Sequence, residues 1–118
     1  MRYMLLIYSD PEVSASFPPD DQQRMMGEYF AFTQRIAESG ELIAGDPLQG
    51  IDTATAIRVR DGKTSSTDGP FAETTEVLGG YYLVDVPDLD RAIELAAQIP
   101  DAGFGTVEVR PVMEIPGA

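Results

Sequence analysis

A chain of 118 residues, 43% apolar and 24% charged, has the composition of one ordinary globular domain spanning residues 1–118, long enough to bury a core without covalent staples. It contains no cysteine and no histidine, which excludes disulfides, thiolate metal sites, a cysteine nucleophile and the commonest general base. Twenty acidic residues against eight basic ones leave a formal charge of −12; such a surface repels phosphate backbones and anionic bilayers, so neither nucleic acid nor membrane is an expected partner.

The run Tyr3-Met4-Leu5-Leu6-Ile7-Tyr8 reads as a strand buried on both faces. It is too short to span a bilayer and starts too close to Met1 for a signal peptide, so the expected location is cytoplasmic. Ser9 to Pro19, with three prolines, reads as a loop. Pro18-Pro19-Asp20-Asp21 then opens a helix, with proline in the first turn and acids at the positive end of the dipole. Met25, Tyr29, Phe32 or Thr33, and Ile36 fall at helical spacing, and Gly40 is the expected left-handed stop. Glu41 to Gly45 reads as a second strand broken by Asp46-Pro47-Leu48-Gln49-Gly50. Thr53 to Arg60 reads as a third, with Thr55, Ile57 and Val59 on one face and Ala54, Ala56, Arg58 and Arg60 on the other. Asp61-Gly62 is a hairpin turn, with Lys63 to Thr67 pairing back.

The loop Asp68 to Glu76 follows, then Gly79-Gly80, whose glycines signal a bulge or a close backbone approach. Gly80 to Val86 is the fourth strand. Asp88 suits the N-cap of a second helix, whose apolar stripe is Leu89, Ala92, Ile93, Ala96 and Ile99, closed by Pro100. Asp101 to Gly105 is a loop. Thr106 to Ile115 is the last strand, with Val107 and Val109 on one face and Thr106, Glu108 and Arg110 on the other. The tail Pro116-Gly117-Ala118 is expected to fray.

This order of strand, helix, strand, strand, helix, strand is the ferredoxin-like split β-α-β-β-α-β arrangement, an α+β fold with two helices on one face of an antiparallel sheet. The first strand is apolar on both sides, so the uncovered face needs a partner. A second copy packed sheet against sheet, as a dimeric α+β barrel, supplies one.

Several residues are candidates for chemistry. Asp68 either caps the Asp-Gly-Pro turn through its own side chain or serves as a general acid or base at a cavity mouth. Phe71 either plugs its loop onto the core or lines a ligand cavity. Glu73 or Glu76 meets Arg58 or Arg60 in a surface ion pair. Tyr81 and Tyr82 point to opposite faces, and one hydroxyl is a candidate hydrogen-bond donor to substrate. Arg58 and Arg110 are the candidates for gripping a carboxylate with two bonds. The polar face of Thr106, Glu108 and Arg110 reads as a solvated edge, a dimer contact or a cavity wall. The acids show no metal-ligand spacing, and no cofactor is expected.

Arg2-Tyr3-Met4-Leu5-Leu6-Ile7-Tyr8, Asp68-Gly69-Pro70-Phe71-Ala72-Glu73, Leu78-Gly79-Gly80-Tyr81-Tyr82 and Val107-Glu108-Val109-Arg110-Pro111, taken in this order, resemble the YCII-related family. The closest likeness is to its DGPF-domain branch, and it covers the chain from Arg2 to about Glu114. The resemblance implies a ferredoxin-like fold assembled as a dimeric α+β barrel. The family is similar in fold to muconolactone isomerases and to small monooxygenases that work without metal or flavin. Some of its members resemble chloromuconolactone dehalogenases. Other members carry a His/Asp pair as a proposed active site; here the histidine has no counterpart, and Asp68 corresponds to the aspartate of the named tetrapeptide. Genes of the DGPF branch often stand near extracytoplasmic-function sigma factors. Two functions are therefore expected: a small-molecule-binding protein or cofactor-independent enzyme using carboxylate or tyrosine proton transfer, and a non-catalytic module working with a sigma factor.

Overall fold

Alternation along one strand sets the layers. In β1 (Arg2–Ser9), Tyr3, Leu5 and Ile7 are buried, while Met4, Leu6 and Tyr8 on the other side are half-buried. The computed structural model describes residues 1–117; of the tail expected to fray, Pro116 and Gly117 form an exposed turn and Ala118 lies outside the described residues. β1 is the inner strand of a four-stranded antiparallel sheet. It pairs with β5 (Val77–Asp85) on one side and β6 (Thr106–Pro111) on the other, and β2 (Leu42–Pro47) lies outside β5. The order β2-β5-β1-β6 is the ferredoxin-like arrangement expected, with both crossover helices on one face.

α2 (Pro19–Glu38) and α3 (Leu89–Ala96) form that helical layer. α2 begins on Pro19 with Asp20 and Asp21 in its first turn. It ends where Gly40 takes φ +81° and the Glu41 amide donates back to the Ile36 carbonyl at 3.0 Å, a left-handed stop that only glycine adopts without strain. Asp88 caps α3 by accepting from the Arg91 amide at 2.9 Å. Phe32 and Ile36 from α2, Leu95 and Ile99 from the α3 region, and Leu5 and Val84 from the sheet are the largest fully buried side chains. The rings of Phe32 and Tyr82 meet edge to face at 5.2 Å.

Four expectations need correction. The stretch Ser9 to Pro19 is not all loop: α1 (Pro11–Ser16) forms because Asp10 accepts the Glu12 amide at 2.9 Å and Pro11 sits at the first helical position. The core stripe of α3 is rotated by one residue, through Ala92, Leu95, Ala96 and Ile99, so Leu89 and Ile93 stay 47% and 50% exposed. β6 stops at Pro111 rather than Ile115: Pro111 pairs with Tyr3, and the Val112 amide bonds to the carbonyl of Arg2 at 2.9 Å, where β1 itself ends. The third strand also begins later and lies elsewhere than in the main sheet. After a 3-10 turn at Ile51–Thr53, β3 (Thr55–Arg60) pairs only with β4 (Lys63–Asp68), making a separate two-stranded sheet. The strand that follows β2 in the main sheet is therefore β5, and the β3–β4 hairpin is an insertion between them. Its turn, Asp61 at φ +52° and Gly62 at φ +74°, has both central residues left-handed, as a two-residue hairpin requires.

This hairpin is an arm. The radius of gyration is 16.3 Å, against about 13.5 Å for a compact domain of this length. The molecule extends 47 × 47 Å in two directions and 19 Å in the third, and the arm pairs with no strand of the main sheet. Among the described residues, no helix is long and apolar enough to cross a membrane.

Candidate functional site

The face of the sheet turned away from the helices carries the site. Strand register places its side chains in rows. Ala44, Leu83, Met4 and Arg110 form one row, and Asp46, Tyr81, Leu6 and Glu108 the next; Leu78, Tyr8 and Thr106 follow. The middle of the face is therefore apolar and aromatic, and its two edges are polar. Among the described residues no element packs over it as α2 and α3 pack over the other face, so Met4, Leu6, Tyr8 and Leu83 remain only half-buried. A continuous apolar strip of this kind on a finished domain marks a binding or assembly surface.

The polar edges are organised by specific bonds. The Tyr81 hydroxyl donates to Asp46 Oδ2 at 2.9 Å across the β5–β2 ladder, and this bond to a carboxylate, reinforced by its charge, raises the phenol above its ordinary 10.0. On the opposite edge Arg110 Nε lies 3.5 Å from Glu108 Oε2. At the lower end the Thr106 hydroxyl donates to Glu76 Oε1 at 2.8 Å, bringing a third carboxylate to the rim. Beside it opens an apolar groove of about 280 Å³ lined by Ser9, Leu48, Ile51, Val77, Leu78 and Gly79.

The glycine pair shapes this end. Ile7 pairs with Gly80 and Tyr8 with Leu78, so Gly79 is an extra residue, a bulge, in β5. Its carbonyl accepts the Leu48 amide at 2.8 Å. A side chain on Gly80 would sit 3.1 Å from the Asp46 carbonyl oxygen, so glycine there lets β2 close on β5. Both readings of Gly79-Gly80, bulge and close approach, hold at once.

Of the residues singled out from sequence, the structure brings Tyr81 and Arg110 onto this one face. Tyr82 points the other way, as the alternation requires. It is 7% exposed in the core, and its hydroxyl shares a 2.7 Å hydrogen bond with Thr33; burial holds its phenol proton on. Arg58 lies on the arm and is exposed. Asp68 ends β4, also exposed, and its carboxylate has no hydrogen-bond or ion-pair partner among the described residues. The turn-capping reading of Asp68 is thus replaced by a backbone bond, Gly69 amide to Ala54 carbonyl at 2.7 Å, with Gly69 at φ +95°. Phe71 does not plug its loop onto the core: it is 82% exposed, because the arm carries that loop away from the sheet. Glu76 meets Thr106 rather than Arg58 or Arg60, which the arm holds apart from it.

Of the rim residues, Asp46 is the one that sequence reading passes over; Glu108 belongs to the face read there as a solvated edge, a dimer contact or a cavity wall, and Glu76 is read there as a surface ion-pair candidate. Asp46 hides in Asp46-Pro47, which looks like a strand break but is the last stretch of an edge strand, where proline is tolerated. The signal that exposes it is parity: two residues beyond Ala44, it stays on the same face. Elsewhere, Tyr29 donates to Asp101 Oδ1 at 2.6 Å, and Arg91 grips Glu41 with Nε–Oε2 at 2.8 Å and Nη2–Oε1 at 3.0 Å; both tie helical-layer elements together, on the far side of the sheet.

Fold and face together define the class: a ferredoxin-like α+β domain that leaves one sheet face bare, with an acid–phenol pair at its edge. The chain belongs to the YCII-related domain family, whose match runs over residues 1–116. It is similar to an uncharacterised protein of Rhizobium meliloti (strain 1021), with 35% identity over 114 residues, 95% of this chain and 92% of that one.

Proposed function

We propose that the chain works as a homodimer whose two bare sheet faces pack against each other around a chamber for a small organic molecule. In this reading Asp46 takes a proton from the bound molecule while Tyr81 gives its own to another atom of it, and the proton on Asp46 then passes along their hydrogen bond to restore the phenol. Arg110 binds a carboxylate or other anionic group of the same molecule. The observation that carries the reading is the row Asp46-Tyr81-Leu6-Glu108, an apolar centre between a hydrogen-bonded acid–phenol pair and an ionic edge. Proton transfer of this kind serves isomerisation or elimination and needs no cofactor. Asp68, on the arm, enters this chemistry only if a partner copy brings it to the chamber mouth.

Light scattering and native mass spectrometry of the purified protein test this. A species of twice the 12.8 kDa chain mass, carrying a small organic compound that Tyr81→Phe and Asp46→Asn release, supports it. A monomer at all concentrations, or a dimer with a sealed and empty interface, sinks it. Asp68→Asn separates the two carboxylates: with a turned-over compound in hand, unchanged turnover removes Asp68 from the chemistry.

The tetrapeptide Asp68-Gly69-Pro70-Phe71 supports placing the chain in the DGPF branch. The 82% exposure of Phe71 favours a second reading, a non-catalytic interaction module that docks an extracytoplasmic-function sigma factor through this loop. Capture of such a factor by the wild type but not by Phe71→Ala would establish that reading, and equal recovery by both would remove it.

A further inference from the structure

The arm has two unlike faces. Register pairs Arg60 with Lys63, Arg58 with Ser65 and Ala56 with Thr67, so three cations share one face. Ile57 and Val59 lie on the other, opposite Ser66 and Thr64, and are 59% and 56% exposed. Asp68 falls on that second face, and Asp61, in the turn, forms no ion pair with the cations among the described residues.

Their isolation is unusual for this chain. Of its eight basic residues, Arg2, Arg24, Arg91 and Arg110 each pair with an acid of the chain, and Arg35 donates to Gln98. Arg58, Arg60 and Lys63 are the remaining three, and none has a carboxylate partner among the described residues; Arg60 reaches only the carbonyl of Val59. In a chain of charge −12, cations without acids are clustered where the backbone carries them furthest from their own acidic body. Arg60 and Lys63 also stand directly opposite each other, and like charges so placed weaken a hairpin. An anionic surface against that face removes the repulsion.

We infer that the β3–β4 arm is a clasp that lays its Arg58, Arg60 and Lys63 face on the acidic surface of a second copy of this chain. The occupant follows from charge. Two bodies of charge −12 repel on approach, and the arm offers a cluster of cations that the other body attracts. The arm pairs with no strand of the main sheet, so its cationic face can meet a copy stacked on the bare face. The clasp rests on the dimer proposed above and adds the element that steers and holds it.

Sedimentation equilibrium of the full chain tests the inference. Arg58→Glu/Arg60→Glu is compared with Arg58→Lys/Arg60→Lys. Because the arm lies outside the core, all three proteins should give the same thermal melt for the dissociated chain. The expected result is a dissociation constant raised about tenfold or more by the charge reversal and little changed by the lysine pair. Raising salt from about 0.1 M to about 1 M, which shortens the screening length from about 10 Å to about 3 Å, should narrow the gap between wild type and the reversal variant. A reversal variant that dimerises as tightly as wild type, or a gap between the two that salt leaves unchanged, overturns the clasp and leaves the sheet-to-sheet chamber standing. A Leu6→Glu variant that still dimerises through an arm sensitive to charge reversal overturns the chamber and keeps the clasp. A wild type that is monomeric throughout overturns both.

Discussion

Tyr81 and Asp46 face each other on adjacent strands, with the phenol donating at 2.9 Å to the carboxylate. Both lie on the uncovered side of the sheet, so this bond is formed where a bound molecule or a second subunit would arrive. The carboxylate keeps the phenol protonated and makes it a weaker acid than a free tyrosine.

Asp46→Asn removes the charge that holds the Tyr81 proton while keeping an oxygen able to accept the bond. The Tyr81 ionisation should fall back toward 10.0, read from its ring-carbon NMR shift against pH. A curve identical to wild type would mean that the pair does not form in solution.

Leu5→Ala and Leu6→Ala should part company although they are neighbours. Leu5 is fully buried under the helices, and its truncation should cost about 2–5 kcal/mol in urea unfolding. Leu6 faces the bare side, so its truncation should cost the isolated chain below about 1 kcal/mol and instead raise the dissociation constant of the proposed dimer. Equal losses of chain stability would place Leu6 in a core that the fold does not provide.

Tyr29→Phe bears on alkaline stability. Burial and then the Asp101 carboxylate raise the Tyr29 phenol above its ordinary 10.0. The folded chain therefore keeps a proton that the unfolded chain gives up. This contribution is fully present below about pH 10 and fades as the pH climbs beyond it. The Phe variant should lose about 1 kcal/mol near neutrality and show a shallower decline of the urea midpoint above pH 10. An unchanged slope would remove Tyr29 from the alkaline limb.

Glu41→Gln reports on the acid side. The two hydrogen bonds from Arg91, with one from Ser39, hold the Glu41 carboxyl below its usual 4.5. Its stabilisation is present above the unfolded value and disappears as the pH falls through the lower folded one. The variant should unfold at lower urea than wild type at pH 7, and the two curves should converge in strong acid. Curves that stay parallel down to low pH would show that the pair contributes nothing titratable.

The core sheet is legible in the sequence wherever local chemistry and tertiary packing agree. Tyr3 to Tyr8 can only be a buried strand, Gly40 and Asp88 mark helix ends by their own geometry, and Asp61-Gly62 specifies its turn. The destination of a strand is less legible. Thr55 to Arg60 alternates like a sheet strand, and nothing local says that its only neighbour is Lys63 to Asp68, because pairing is decided by distant residues. That single displacement carries Asp68, Phe71 and Arg58 away from the candidate site. Asp46 was hidden for a related reason: Asp-Pro signals a turn locally, yet its register against Tyr81 comes from β5. Face assignment survives better than membership, since parity is a local property, and Tyr81 and Tyr82 divide between the two faces as their adjacency demands.

The extra residue at Gly79 makes β5 a strand with two reading frames. Above it, Tyr82 and Val84 face the helices; below it the parity is reset, so Val77 shares their side and Leu78 turns to the bare face. A change of one residue in the Asp68 to Glu76 loop can be taken up by gaining or losing that bulge, without moving Tyr81 from Asp46. The loop that carries Asp68-Gly69-Pro70-Phe71 can thereby change in length by one residue without shifting the register of Tyr81 against Asp46.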